Sequence, residues 1–246
     1  MSTARPELAR QEPAVEAVVP AYNEETTVAE TVQALARCPA VGTVWVVDDG
    51  STDSTVARAA AAGARVLRLG RRRGKAQALL AGAARTRAPW LLFADADLGP
   101  SAARLAVLVE RALAGQADML IAAPPRRPGR HGLGAAVGLA RWGLARLGGR
   151  VLEAPLSGQR ILRRTLLELV QPLPRGWGIE VALTLAALRA GLSVVEVPVP
   201  IAHRVTRMDL AGFLHRGHQL VHIAWTLAAC AWQHPAARRR GGVAAP

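Results

Sequence analysis

Two carboxylates separated by one residue, Asp95-Ala96-Asp97, follow the apolar run from Trp90 to Ala94. In an extended chain both would point to one side, with Ala96 opposite. Like charges that close repel unless a cation sits between them. Hard oxygen ligands suit Mg²⁺ or Mn²⁺, which can also bridge the oxygens of a diphosphate. A second acidic cluster, Asp48-Asp49-Gly50-Ser51-Thr52-Asp53, follows Val44 to Val47, and Pro20-Ala21-Tyr22-Asn23-Glu24-Glu25 follows Val15 to Val19. Helix capping accounts for Ser51, Thr52 or Asp53. It does not account for two adjacent carboxylates at a strand end.

Gly70-Arg71-Arg72-Arg73-Gly74-Lys75-Ala76 is Gly-rich and basic. Its glycine spacing is one residue short of a P-loop and no Ser or Thr follows the lysine, which argues against a nucleoside triphosphatase. No G-x-G-x-x-G follows the first β-branched run, so a dinucleotide cofactor has no support.

These residues need a scaffold that gathers strand ends. The pattern predicts strands at Val15 to Val19, Val44 to Val47, Val66 to Leu69 and Trp90 to Ala94. It predicts helices at Thr27 to Arg37, Ser54 to Ala62 and Lys75 to Arg85. This alternation predicts an α/β fold: an open, mainly parallel sheet with helices on both faces, whose ligands bind at the carboxyl ends of the strands. Residues 124 to 134, rich in Pro, Gly and Arg, read as a mobile loop. Gly134 to Leu147 reads as a core helix, with a surface helix resting on lipid as the alternative. Arg163 to Val170, a Gly176-Trp177-Gly178 turn, a helix from Ile179 to Ala190, a strand from Val194 to Val197 and a final helix from about Asp209 complete the pattern. His215, His218 and His222 fall at helical spacing; with no carboxylate or cysteine beside them, they read as solvated or packed residues rather than a metal site.

The chain has 246 residues, 51% of them hydrophobic, enough for one sizeable core. A formal charge of +13 points to anionic partners without choosing among nucleic acid, acidic lipid and phosphorylated small molecules. No basic helix interleaved with aromatics supports nucleic acid. Cys38 and Cys230 lie in no metal or redox spacing, and no signal peptide is apparent, so a cytoplasmic location is expected. Residues 1–13 and 235–246 read as disordered tails.

Val19-Pro20-Ala21-Tyr22-Asn23-Glu24-Glu25, Val47-Asp48-Asp49-Gly50-Ser51-Thr52-Asp53, Gly74-Lys75-Ala76-Gln77-Ala78-Leu79 and Asp95-Ala96-Asp97-Leu98 occur in order over residues 15 to 100. This series resembles the family 2-type glycosyltransferases of the GT-A fold, the group that includes dolichol-phosphate mannose synthases. Pro155-Leu156-Ser157-Gly158, Gly176-Trp177-Gly178-Ile179-Glu180 and Ala202-His203-Arg204 resemble the acceptor side of glucosyl-3-phosphoglycerate synthases.

The resemblance implies a single domain over residues 14–234. Residues 14–123 would bind the nucleotide sugar, 124–150 would form the loop and helix, and 151–234 would bind the acceptor. It implies nucleotide-sugar contacts from Pro20, Tyr22, Glu24, Asp48, Asp49, Lys75 and Asp95, and a Mg²⁺ or Mn²⁺ site at Asp97 with Asp95 and His203. It implies acceptor contacts from Ser157, Gly158 and Arg204. Glu180 is the candidate base for a hydroxyl acceptor, and Lys75, Arg126 or Arg127 would neutralise the leaving diphosphate. The expected partners are a UDP- or GDP-sugar and a phosphorylated acceptor, either a soluble acid such as 3-phosphoglycerate or a polyprenyl phosphate. Peripheral membrane contact and a homodimer stay open. A nucleotidyltransferase is disfavoured because Pro20-Ala21-Tyr22-Asn23-Glu24 stands where its Gly-rich loop would be.

Overall fold

The computed structural model describes residues 13–125, 134–170, 178–201 and 210–233, the last stretch with side chains from 219 to 232. The expected tails, the 126–133 part of the expected loop, Gly176-Trp177, and Ala202-His203-Arg204 lie outside the described residues.

The elements run β1 (Val15–Ala21), α1 (Val28–Ala36), β2 (Val41–Asp48), α2 (Thr55–Ala61), β3 (Arg65–Arg68), α3 (Lys75–Ala83) and β4 (Trp90–Phe93). Then follow a 3-10 helix (Gly99–Leu105), α4 (Ala106–Leu113), β5 (Met119–Ala123), α5 (Ala135–Gly148) and β6 (Arg160–Arg163). A second 3-10 helix (Arg164–Leu169), α6 (Ile179–Arg189), β7 (Val194–Pro198) and α7 (Leu210–Gln233) complete the described order. The seven strands form one sheet in the order β3-β2-β1-β4-β6-β5-β7. All pairings are parallel except those of β6, which runs against both β4 and β5.

The strands are short and nearly continuous in Val, Ile, Leu and Ala because both faces are covered; β4 and β5 are buried at every residue. One face packs α1 and α4 through Val32, Leu35 and Leu108. The other packs α3, α5 and α6 through Leu79, Leu144 and Val181. Gly82 of α3 lies where a side chain would collide with Val18 and Val47, so its lack of a Cβ lets α3 approach β1 and β2 closely.

The expectation of a mainly parallel sheet holds, with four elements added: the 3-10 helix Gly99–Leu105, α4, β5 and β6. The expected core helix after residue 134 is α5, which buries Ala136, Ala140, Gly143 and Leu144. It also leaves Trp142 63% exposed.

Candidate active site

Three parallel strands deliver their following loops to one edge. After β1, Asn23 adopts a left-handed φ of 55°, and its amide donates to Ser51 Oγ at 3.0 Å while its Oδ1 accepts from the Thr52 amide at 2.9 Å. The Glu24 amide donates to Thr55 Oγ1 at 2.8 Å, and its carboxylate accepts from Thr27 Oγ1 at 3.2 Å. The loops after β1 and β2 are thus stitched together, with Pro20, Tyr22 and Glu24 on one side and Asp48 on the other. Tyr22 is 36% exposed, and the Arg72 guanidinium lies 4.2 Å from its ring centroid, a cation–π contact.

Asp48 and Asp49 behave differently. Asp48 accepts from the Ser51 amide at 3.0 Å, and its other oxygen lies 4.0 Å from Arg68 Nε, at the limit of an ion pair. Asp49 spends both oxygens inside the protein, accepting from the Arg73 amide at 2.6 Å and the Gly74 amide at 2.8 Å. The resemblance implied a nucleotide contact for Asp49. In the structure it anchors the 70–74 loop, since both of its oxygens are held by backbone amides. Gly74, at φ 90°, then turns the chain into α3, and Lys75 is that helix's first residue.

Asp95-Ala96-Asp97 departs from the extended geometry expected of it. β4 stops at Phe93, and Ala96 and Asp97 form a turn. Ala96 is buried, and Asp95 and Asp97 are half-buried. The turn is held from α1, where Thr31 donates to the Ala96 carbonyl at 2.9 Å and accepts from the Gly99 amide at 2.8 Å.

The fourth contribution comes from the antiparallel strand. Arg160 of β6 pairs opposite Phe93, the last residue of β4. The loop leading into β6 therefore lies beside the loop leaving β4. Gly158 fits against Lys75 and Asp95 so tightly that a Cβ there would sit 2.5 Å from Lys75 Nζ and 2.8 Å from Asp95 Oδ2. Gln159, fully buried, donates to Asp95 Oδ2 at 2.6 Å, and Ser157 donates to Gln159 Oε1 at 3.2 Å.

Lys75 Nζ lies 2.7 Å from Asp95 Oδ1 and 3.0 Å from Oε1 of Glu180, which stands in the first turn of α6. Burial acts to lower the lysine pKa, but the two carboxylates overcome it and hold the group well above its usual range. Glu180 is 3% exposed, and its Oε2 has no hydrogen-bond partner among the described residues. Behind it, the fully buried Arg160 donates to the Ser157 carbonyl from Nε at 3.1 Å and from Nη2 at 2.5 Å. Its Nη1 donates to the Glu180 carbonyl at 3.0 Å and to Thr184 Oγ1 at 3.3 Å. Burial pushes this guanidinium down to about 10, against the pull of Glu180, Asp95 and Glu196.

The geometry thus brings Lys75, Asp95, Glu180, Ser157 and Gly158 into one cluster, with the first two loops along the same sheet edge. Gln159 and Arg160 are additions that sequence reasoning missed; the signal for them was a polar pair entering the apolar run Ile161-Leu162. Asp97, half-buried on the turn, is a hard carboxylate of the kind Mg²⁺ and Mn²⁺ favour; Asp95 is another, with its Oδ1 on Lys75 and its Oδ2 on Gln159, so a metal would share those oxygens. Among the described residues no three His, Cys, Asp or Glu gather into a metal cluster. His222 is half-buried on α7, and the side chains of His215 and His218 lie outside the described residues.

An open α/β sheet gathers an acidic turn, a paired lysine and a buried carboxylate at its strand ends, the place where such sheets bind ligands. The family model Glycosyl transferase family 2 matches residues 16–145. Glucosyl-3-phosphoglycerate synthase from Mycobacterium tuberculosis is 33% identical over 229 residues, covering 82% of this chain and 70% of that protein. The same enzyme from Mycolicibacterium paratuberculosis is 33% identical over 206 residues, covering 74% and 62%. A crystal structure of the Mycobacterium tuberculosis enzyme in complex with Mn²⁺, uridine diphosphate and phosphoglyceric acid superposes with a TM-score of 0.73 at 29% identity, covering 89% of this chain and 78% of that one. The chain belongs to glycosyltransferase family 2, and it is a glycosyltransferase.

Proposed function

We propose that the enzyme moves a sugar from a UDP- or GDP-sugar to a phosphorylated small acceptor such as 3-phosphoglycerate, in the cytoplasm and with Mg²⁺ or Mn²⁺. The observation that carries this reading is the cluster in which Lys75 joins Asp95 at the donor side to Glu180 at the acceptor side. The likeness to glucosyl-3-phosphoglycerate synthases supports it across both halves.

In this reading residues 14–123 bind the donor, with Pro20, Tyr22, Glu24 and Asp48 on its nucleoside. Asp97 and Asp95 hold the metal, which stabilises the negative charge developing on the departing diphosphate. Lys75 adds a fixed positive charge at the same place without reorganisation. Residues 151–234 bind the acceptor through Ser157 and Gly158, and Glu180 is the carboxylate assigned as base for a hydroxyl acceptor. His203 as third metal ligand and Arg204 as acceptor contact rest on the resemblance alone.

An apolar cavity beside Ser157, lined by Ala122, Val137, Pro155, Leu156, Val199 and Ile201, favours a second reading in which the acceptor phosphate carries a hydrocarbon portion, as in a polyprenyl phosphate.

A mass-spectrometric screen of UDP- and GDP-sugars with Mn²⁺ or Mg²⁺, each with 3-phosphoglycerate or a polyprenyl phosphate, tests both readings. Metal-dependent formation of one glycosylated acceptor, lost in Asp97→Ala, is the expected result. Product with neither acceptor and no nucleoside diphosphate released from any donor refutes the proposal.

A further inference from the structure

From Leu220 to Trp232, α7 contains no charged residue, and two opposite faces of it are apolar. One face is buried: Ile223, Leu227 and Cys230 are 0%, 4% and 3% exposed, and Leu227 fills the space left by Gly143 of α5. The other face presents Val221, Trp225 and Trp232, exposed to 64%, 44% and 89%, with Ala228 exposed between them. Spacings of four, three and four residues align these side chains along one narrow strip. On the adjoining α5, Trp142 is exposed, and Arg146, one turn further on, is exposed as well. An exposed apolar strip carrying two tryptophans marks an interaction site.

We propose that the outer face of α7 docks on an anionic lipid bilayer. Tryptophan suits this role because its ring is apolar while its N–H bonds to water and headgroups, so it settles at the membrane interface. The charge complements the lipid: the chain carries +13, and Arg238, Arg239 and Arg240 follow shortly after Trp232 in the sequence. A second copy of the chain fits less well. Two chains of +13 repel, so self-association of this face is opposed by charge where an anionic bilayer is favoured by it. With its inner face packed on the protein, α7 lies along the bilayer plane, and no helix among the described residues is long and apolar enough to cross it. The surface stands independently of which acceptor the active site takes.

Flotation of the full chain with vesicles of phosphatidylcholine, alone or mixed with phosphatidylglycerol, tests the surface. The expected result is binding to the anionic vesicles only, weakened by added salt, with a blue shift of tryptophan emission. The exposed-face double substitution Val221→Ser/Trp232→Ser should weaken binding by about tenfold or more. Absence of binding overturns the proposal. So does binding that the double substitution leaves unchanged, which would place the attraction in diffuse surface charge. A dimer in light scattering that the substitution dissolves would assign the face to self-association and also overturn it. Donor turnover in solution should be the same in wild type and double variant, so failure here is distinguishable from failure of the transferase reading.

Discussion

On one side of the sheet, β3, β2, β1 and β4 run parallel, and the loops we propose for the donor, the donor side of this comparison, follow β1, β2 and β4 to a common edge. On the other side, β6 runs against β4 and β5, and the loop that reaches this edge, proposed for the acceptor and called the acceptor side here, is the one that precedes it. The donor side holds its loops with short backbone-to-side-chain bonds, such as the two amides captured by Asp49. The acceptor side holds its loop with a buried cation, Arg160, whose fork spans Ser157 and Glu180. The first arrangement joins the loop of one strand–helix unit to that of the next, 24 to 31 residues along the chain. The second exists only once β6 is seated between β4 and β5. The acceptor side is therefore where one interior substitution should disturb both fold and chemistry.

Four substitutions sharpen or break this contrast. Asp97→Ala removes a proposed metal donor and should lower kcat/KM by about 10³-fold with the fold intact, read from donor turnover against Mn²⁺ concentration. An unchanged metal dependence would move the metal away from this turn. Arg160→Met leaves the Ser157 and Glu180 carbonyls without their buried donor and should cost about 3 kcal/mol, seen as a lower urea midpoint at constant slope. Stability equal to wild type would show that the acceptor loop does not depend on the strut.

Gly158→Ala forces a methyl group against Lys75 and Asp95. It should reduce kcat/KM by about 10²-fold through displacement of the cluster, while thermal stability changes little. Retained activity would mean that the lysine need not touch Asp95.

The smallest effect is expected at Asp118, which ties β6 to the start of β7. It accepts from the Ser193 amide and hydroxyl at 2.9 and 2.7 Å and pairs with Arg163 at 2.8 Å. Those bonds hold its carboxyl below the ordinary value of 3.8. A depressed carboxylate contributes stability above its unfolded value and loses it as pH falls through the folded one. Asp118→Asn should therefore cost about 1 kcal/mol at neutral pH, and thermal melts of variant and wild type should converge below about pH 4. A gap that persists in acid would assign the effect to shape rather than charge.

Much of the donor side was legible because each of its residues lies close in sequence to its own strand. Pro20 to Glu25 follow β1, Asp48 and Asp49 close β2, and Lys75 opens α3. Periodicity locates those elements, and the chemistry sits at their ends. The Asp95 turn was placed correctly but given the wrong backbone, since β4 ends at Phe93, one residue before its apolar run does. β5 and β6 were not separated from their surroundings. Met119–Ala123 is a short run that periodicity alone cannot assign, and Arg160–Arg163 begins and ends on arginine, as buried strands seldom do.

The amino-acid sequence by itself determined the alternating architecture and the set of acidic and basic groups at the first strand ends, because hydrophobic period and turn chemistry act over a few residues. Only the tertiary structure decided which of those groups meet. Lys75, Asp95, Glu180 and Gly158 are far apart along the chain, and an antiparallel strand brings them together. Whether Asp49 is spent on the backbone, or Arg160 buried beneath the site, depends on packing between elements that no local pattern records.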